Sequence, residues 1–455
     1  MDTRAVSAPM TGTAGLPAGA AAAEAGVKAT ILEVTRISGG SGNVVAMGAS
    51  FAGTDVQKKQ GIEDSPALHY RDGVEVAHGD PYLWREYTDH ELDTYNWFKQ
   101  MGIYPTTDKL LTLPGHNAPR LHRYLGASVM KTIEKYARDK GAEILFEHRA
   151  TRLITDPQTG RVLGAKVRVK DWTKNFKAKR AVILTTGSFG RNKEMVKEYG
   201  SRYADCIPLM AQGHLGDGLR MALDLGAATS HIGDAVVASL AVCTTTHAHR
   251  ALIAVWNGAI AVNKDGKRFY NECCPKGYYG ELTDAGMDQP GKVYWIVYDE
   301  KIRNAAGVDE MKKHKEFKAD TFEQLAKLAR IEPKGFVTTV EKYNGDIDSE
   351  GYDTVLGRKT ITFVHGTPVK IDKPPFYAIK CETSITSFKG GVKINTQGQV
   401  VNNYGEVIPG LYAAGEVTGG LFGKGIYLGG TNWPAAMTFG RIAARNAAAE
   451  VPWDT

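Results

Sequence analysis

The sequence predicts an α/β fold, a Rossmann-like first domain interrupted by an inserted α+β domain, and three observations support it. A glycine-rich turn, an alanine-dense helix and a short apolar strand follow one another over residues 12–34. An apolar run from Ala181 enters a Thr-Gly turn, as a buried parallel strand does when it delivers its C-terminal loop to a ligand. From about residue 235 the texture changes, and the strand-and-turn pattern resumes only after Pro374. The expected boundaries are therefore 1–234 and 374–455 for the first domain, and 235–373 for the insertion.

Taken in order, GTAGLPAGAAAAEAG is a turn and a helix stopped at Gly26, and KATILEV is a strand ending at Glu33. The preceding RAVSAP makes a poor central strand, because Pro9 has no N–H for a ladder. GGSGNVVAMGASFAG is a loop of small residues able to lie flat against a planar ligand. Residues 80–140 read as mainly helical, and GAEILFEHRATRLITD with GRVLGAKVRVKDW as paired strands. GHLGDGLRMALDLGAA opens a helix whose first residue, Asp217, is either a plain cap or part of a phosphate site. The insertion holds an expected hairpin, AIAVNKDGKRFYNE, and a charged helical stretch over about 300–345. A glycine loop and an alanine-rich helix close the chain.

Composition narrows the function. At 455 residues the chain has room for about three structural units of roughly 150 residues. The 56 basic and 50 acidic residues leave a net charge of +6 with no basic tail or stripe, so nucleic acid is not an expected partner. The five cysteines form no CxxC pattern, which points to a reducing, cytoplasmic compartment and away from a disulfide framework, zinc knuckle or c-type haem. No run of 18 apolar residues occurs, so no membrane span is expected.

A dinucleotide fingerprint places glycines where the chain turns, where it meets pyrophosphate and where helix packs on strand. Gly12 and Gly15 hold the second and third places, but Met10 holds the first. Glu33, about 20 residues on, is where an acidic side chain meets an adenosine ribose.

The block IPGLYAAGEVTGGLFGKGIYLGGTNWPAAMTFGRIAA, with GTAGLPAGAAAAEAG, GGSGN, TTGSFGRNKEM, GDGLRMA and VNKDGKRFYNE in the same order, resembles the fumarate reductase and succinate dehydrogenase flavoprotein superfamily. That group also contains 3-ketosteroid dehydrogenases and tricarballylate dehydrogenase. The resemblance implies an FAD-binding domain, an inserted capping domain and a flavin ring at their junction. Gly12 and Gly15 would then approach the pyrophosphate, Glu33 the ribose, and Ser41, Gly42 and Asn43 the flavin. Thr186, Gly187 and Asp217 would join the nucleotide site, Gly415 and Glu416 the ribityl and phosphate region, and Gly430, Thr431 and Trp433 the pyrimidine edge. Amides of a helix starting near Trp433 would face negative charge on the reduced ring.

The pattern departs from the fumarate reductases where those enzymes clamp a dicarboxylate. Ser387 stands at the clamp histidine, Ile426-Tyr427-Leu428 at Asn-Arg-Leu, Lys276 at the proton-carrying arginine, and Val255 or Trp256 at another arginine. A phenol does not replace guanidinium geometry. The aromatic residues Trp256, Tyr278, Tyr279, Phe422, Tyr427 and Trp433 suit a neutral, flat substrate with one carbonyl. By resemblance to ketosteroid dehydrogenases, Tyr427 would polarise that carbonyl and Tyr278 or Tyr279 would exchange the proton.

The expected function is an FAD-dependent oxidation or reduction of a carbon–carbon bond beside a carbonyl in an apolar, ketosteroid-like or alicyclic substrate, with a separate electron donor or acceptor. Its alternatives are a carboxylate enzyme of the tricarballylate or fumarate type and a flavin-depleted homologue. No metal is expected: His247 and His249 have no third ligand spaced with them. Cys273 and Cys274 are redox-active or, more commonly for such thiols, buried and inert.

Overall fold

The computed structural model describes residues 2–9, 11–44, 48–113, 115–241, 252–274, 281–312, 315–361 and 366–453. Two compact units divide the chain: Met1–Ala204, Met210–Ala235 and Ser387–Thr455 form one, Asp205–Leu209 and Val236–Thr386 the other. In sequence, the second interrupts the first.

The first unit begins with strand β1 (Asp2–Pro9), helix α1 (Gly15–Glu24) and strand β2 (Ala29–Leu32). Alanine costs no side-chain entropy in a helix, and α1 is buried along most of its length, so small side chains are what its packing admits. A Cβ on Gly19 would lie 2.4 Å from Ile31 Cδ1, which shows how closely α1 approaches β2. Gly26 takes the left-handed conformation (φ +77°) just past the helix end, the usual use of glycine there.

Helix α2 (Pro81–Gln100) starts on Asp80, whose carboxylate accepts from the amides of Tyr82 and Leu83, with Pro81 in the first turn. Helix α3 (Gly126–Asp139) buries Val129, Met130, Ile133 and Ala137, a single stripe at helical spacing. Strand β3 (Glu143–Leu145) follows, and then β4 (Arg149–Thr155), β5 (Val162–Val169) and β6 (Trp172–Leu184) run as an antiparallel meander. Helix α4 (Asp217–Leu223) completes this part.

The second unit contains β7 (Ile260–Val262), β8 (Val293–Asp299), β9 (Glu316–Ala319), helices α5 (Phe322–Ala329) and α6 (Pro333–Glu350), and β10 (Phe376–Phe388). β8 pairs antiparallel with β7 and β10, and β9 adds to the other edge of β10. Tyr294, Ile296, Leu325, Phe336 and Val340 are buried in its core. The expected hairpin over 259–272 does not form as a ladder. β7 spends its pairing on β8, and only Val262 bridges to Arg268. Glu272 explains the turn that replaces it: its buried carboxylate accepts from both Arg268 nitrogens (2.9 and 2.6 Å) and from the Ala261 amide (2.9 Å).

The chain returns through β11 (Gln399–Val401), β12 (Val407–Ala413) and helix α7 (Asn432–Ala449). The main sheet runs β11-β12-β6-β1-β2-β3, parallel from β12 through β3 with β11 antiparallel at the edge. β1 is thus central, against the expectation from Pro9. Pro9 is its last residue, opposite Leu32, where a missing amide costs the ladder least. Among the described residues no helix is long and apolar enough to cross a membrane. The four described cysteines are buried, and burial holds the Cys274 thiol up at about 12, which makes it inert.

Candidate active site

The loops that leave the carboxyl ends of β1, β2, β6 and β12 are tied to one another. Glu33, buried at the end of β2, accepts from the Thr11 amide (2.9 Å) and hydroxyl (2.6 Å) through one oxygen and from the Thr35 amide (2.8 Å) and hydroxyl (2.7 Å) through the other. A carboxylate offers about four acceptor positions, and two donors from the turn between β1 and α1 and two from Thr35 occupy them. The Gly39 amide donates in turn to the Thr11 carbonyl (3.0 Å). A Cβ on Gly40 would lie 3.2 Å from Gly12 Cα, whereas Gly12 itself has open space. Asn43 donates to the Ser38 carbonyl (2.7 Å), closing its own loop, and Gly42 is backed by Met130 and Thr13. Gly15 is the first residue of α1, which has no side-chain cap and no acidic residue in its first turn.

His214, not singled out from the sequence, is the hub on the other side. The Ser188 amide donates to its Nδ1 (3.1 Å), so that nitrogen is an acceptor and the ring proton sits on Nε2, facing Ser41 Oγ at 2.9 Å. Ser41 also accepts from the Ala211 amide (3.1 Å). Glu416 Oε2 lies 3.3 Å from the same Nδ1, and Ser387 donates to the other oxygen of Glu416. Two acceptors face each other unless Glu416 carries a proton. Burial favours that arrangement twice over, pushing the Glu416 carboxyl up to about 7 and the His214 imidazole down to about 4. Ser387 therefore positions Glu416, and nothing in its bonding resembles the expected clamp. Gly187 (φ +67°) is held against the His214 ring, where a Cβ would come within 2.6 Å.

The 427–433 segment rests on a buried polar layer. The Gly429 carbonyl accepts from Ser50 Oγ (3.0 Å) and bonds His116 Nε2 (2.8 Å), and the Gly430 carbonyl accepts from the Ser50 amide (2.9 Å). Gly430 is left-handed (φ +77°), and a Cβ there would meet Ser50 Oγ at 2.5 Å. Beneath, Arg120 grips Asp64 in bidentate fashion (2.8 and 2.8 Å) and pairs with Asp72. His116 is held down at about 3 by burial, so it is a neutral ring. The Tyr427 ring lies 4.7 Å from Phe422, which meets Trp84 edge-on.

A small pocket opens beside this wall, with room for little more than a water, lined by Leu83, Phe388, Gly415, Glu416, Leu421 and Phe422 among others. Lys389, the one lysine or arginine among the described residues that line it, donates to the Gly423 and Gly425 carbonyls (3.4 and 3.2 Å).

Two expected residues have partners elsewhere in the first unit. Asp217 binds Arg149 through both oxygens (2.6 and 2.7 Å), tying α4 to β4. The Trp433 side chain packs toward Phe98 and Tyr124 (6.1 and 6.0 Å), leaving only its backbone at the start of α7. Lys276, Tyr278, Tyr279, His247, His249 and Met10 lie outside the described residues, and no metal-ligand cluster occurs among those described.

The donor set fits FAD. Helices α1 and α7 both begin without a side-chain cap and without acidic residues in the first turn, leaving positive helix ends for a pyrophosphate and for negative charge on a flavin. The hydroxyls of Thr186 and Thr431 are buried with no partner among the described residues, as groups awaiting a ligand are. A parallel sheet whose carboxyl-end loops carry these features defines a nucleotide-dependent protein.

Comparison with known proteins agrees: the FAD binding domain family matches residues 11–432. A probable fumarate reductase of Shewanella frigidimarina is 32% identical over 446 residues, covering 96% of this chain and 73% of the relative. A 3-oxosteroid 1-dehydrogenase of Mycolicibacterium smegmatis is 29% identical over 365 residues, covering 71% of this chain and 62% of the relative. The solved open conformation of a flavocytochrome c3 fumarate reductase superposes with a TM-score of 0.85 at 31% identity, covering 98% of this chain and 78% of that one. The chain belongs to the fumarate reductase and succinate dehydrogenase flavoprotein superfamily, and it is an FAD-dependent oxidoreductase acting on CH–CH or C=C bonds.

Proposed function

We propose that the substrate is a neutral, apolar, ketosteroid-like or alicyclic carbonyl compound, oxidised or reduced at the carbon–carbon bond beside the carbonyl. The observation that carries this is the Trp84–Phe422–Tyr427 aromatic wall, next to which the one lysine or arginine among the described residues lining the pocket, Lys389, is bonded to backbone carbonyls. A dicarboxylate needs guanidinium forks, and Tyr427, Ser387 and Val255 stand where the resemblance expects the clamp. Val255 is buried in an apolar core, which supports the same reading.

In this reading Tyr427 donates a hydrogen bond to the carbonyl oxygen and stabilises the charge that develops there. Tyr278 or Tyr279 exchanges the proton on the neighbouring carbon, with Lys276 as a further candidate for that transfer. Bound FAD supplies or accepts the hydride. The amides that open α1 would hold its pyrophosphate, the Gly415–Glu416 turn its ribityl chain, Ser41 would line the flavin, and the amides at Gly430 and Thr431 would hold its pyrimidine edge. Residues 235–373 act as the cap over a Rossmann-like FAD domain, and electrons reach or leave the flavin through a separate partner.

The 32% identity to a probable fumarate reductase favours a second reading, a carboxylate reductase. Anaerobic titration of the flavin absorbance with a panel of saturated and unsaturated ketones and polycarboxylates tests both. Bleaching or reoxidation by ketones alone supports the proposal. A response to fumarate or a tricarboxylate, with none to ketones, replaces it with the second reading.

A further inference from the structure

A second charged cleft lies in the first unit, formed by the last turns of α1, α2 and α3 and the middle of α7. Its volume is about 580 Å³, and Arg441, Arg445 and Lys140 line it together with Glu24 and Asp93. Three cations face two carboxylates, so the cleft is positive by one charge.

Arg441 is the unusual member. Its side chain is 94% buried, since 6% remains exposed. The guanidinium stacks 4.8 Å from the Trp97 ring and donates from Nη1 to Thr94 Oγ1 at 3.3 Å. Nε is buried with no partner, and among the described residues no carboxylate comes within ion-pair distance of the group. The nearer candidate, Glu24, spends one oxygen on Trp97 Nε1 (3.0 Å) and Tyr136 OH (2.7 Å). Buried charges are normally paired or bonded, and a guanidinium fork offers two parallel donors to an oxyanion. Arg445 follows four residues later on the same helix face, which brings a second fork to the mouth of the cleft.

We propose that this cleft is a binding site for a small oxyanion of at least two negative charges, of the phosphate or sulfate class. Arg441 is the buried anchor, and Arg445 and Lys140 close over the ligand from the solvent side. Neither the flavin site nor its substrate enters this inference.

Isothermal titration of the FAD-loaded protein with inorganic phosphate and with sulfate, at fixed ionic strength set by chloride, tests it. One equivalent is expected to bind without change in the flavin spectrum, which separates this site from the flavin pocket. Arg445→Gln and Lys140→Gln, both at exposed positions, should each weaken binding about tenfold, the loss of one charge-assisted contact. Arg441→Lys, which keeps the charge and loses the fork, should weaken it further while the flavin spectrum and unfolding temperature report a folded protein. The proposal is overturned if neither anion binds at about 10 mM, a concentration that detects even millimolar affinity. It is overturned equally if Arg445→Gln and Lys140→Gln leave the affinity unchanged, or if chloride competes on equal terms.

Discussion

The proton held between Glu416 and His214 gives a prediction whose sign and size both follow from the geometry. The Glu416 carboxyl rises from an ordinary value of 4.5 to about 7, while His214 falls from 6.5 to about 4. For Glu416 the native state keeps a proton that the unfolded chain has lost, so its contribution is fully present below about 4.5 and declines as pH rises to about 7. For His214 the unfolded chain binds the proton first, so stability rises with pH between about 4 and 6.5. Between about 4.5 and 6.5 the two slopes cancel, because each state holds one proton and folding only moves it from imidazole to carboxyl. Glu416→Gln removes the first slope and leaves the second.

At about 1.36 kcal/mol per decade, the difference in unfolding free energy between Glu416→Gln and the parent should shift by about 2.5 kcal/mol toward the variant from pH 5.0 to 8.5. Urea unfolding at a series of pH values, with FAD saturating and with FAD removed, measures this. A difference that stays constant across the range would refute the shared-proton account, whatever its absolute value.

Other perturbations separate roles that the geometry assigns. Tyr427→Phe should slow reductive bleaching by substrate about 10²-fold, if its hydroxyl faces the developing oxyanion; stopped-flow absorbance at the flavin band reads this. Glu33→Gln keeps the shape but replaces an oxygen that accepts from two donors, so that a buried amide loses its acceptor even if the paired hydroxyl rotates to accept, and should cost about 2 kcal/mol in denaturant unfolding. A change in FAD affinity without loss of stability would instead return Glu33 to the ribose. Asp217→Asn weakens the bond to Arg149 and should cost about 1 kcal/mol of stability at this part-exposed position, with FAD affinity by fluorescence titration unchanged.

The parts legible in the sequence are those set by local rules. The α1 turn, the Gly26 stop, the paired strands β4 and β5 and the start of α7 follow from periodicity and from residues that cap or break helices. In the site, backbone conformation was the legible part: Gly415 and Gly430 take left-handed conformations that glycine-rich turns signal. It was opaque where side chains meet across distance. Nothing local to GHLGDG reveals that His214 meets Glu416 and Ser41, residues brought from opposite ends of the chain by the parallel sheet. Asp217 illustrates the converse: a helix start with an acid looks alike in sequence whether it awaits a nucleotide or, as here, is claimed by an arginine on a neighbouring strand. Pro9 misled because the rule against proline in central strands applies to the interior of a ladder, and Pro9 terminates one.

The order of strands in the main sheet also bears on how the chain is made. β6 has β1 and, along its first half, β5 beside it from the outset, but β12, the neighbour of its last three residues, is translated only after the whole of the second unit. Through that interval Val182–Leu184 present a bare hydrogen-bonding edge rich in apolar side chains, the kind of surface that recruits a stray strand from another chain. A ribosome-bound nascent chain halted before Val407 should therefore depend on a holding chaperone, and release that need once β12 emerges.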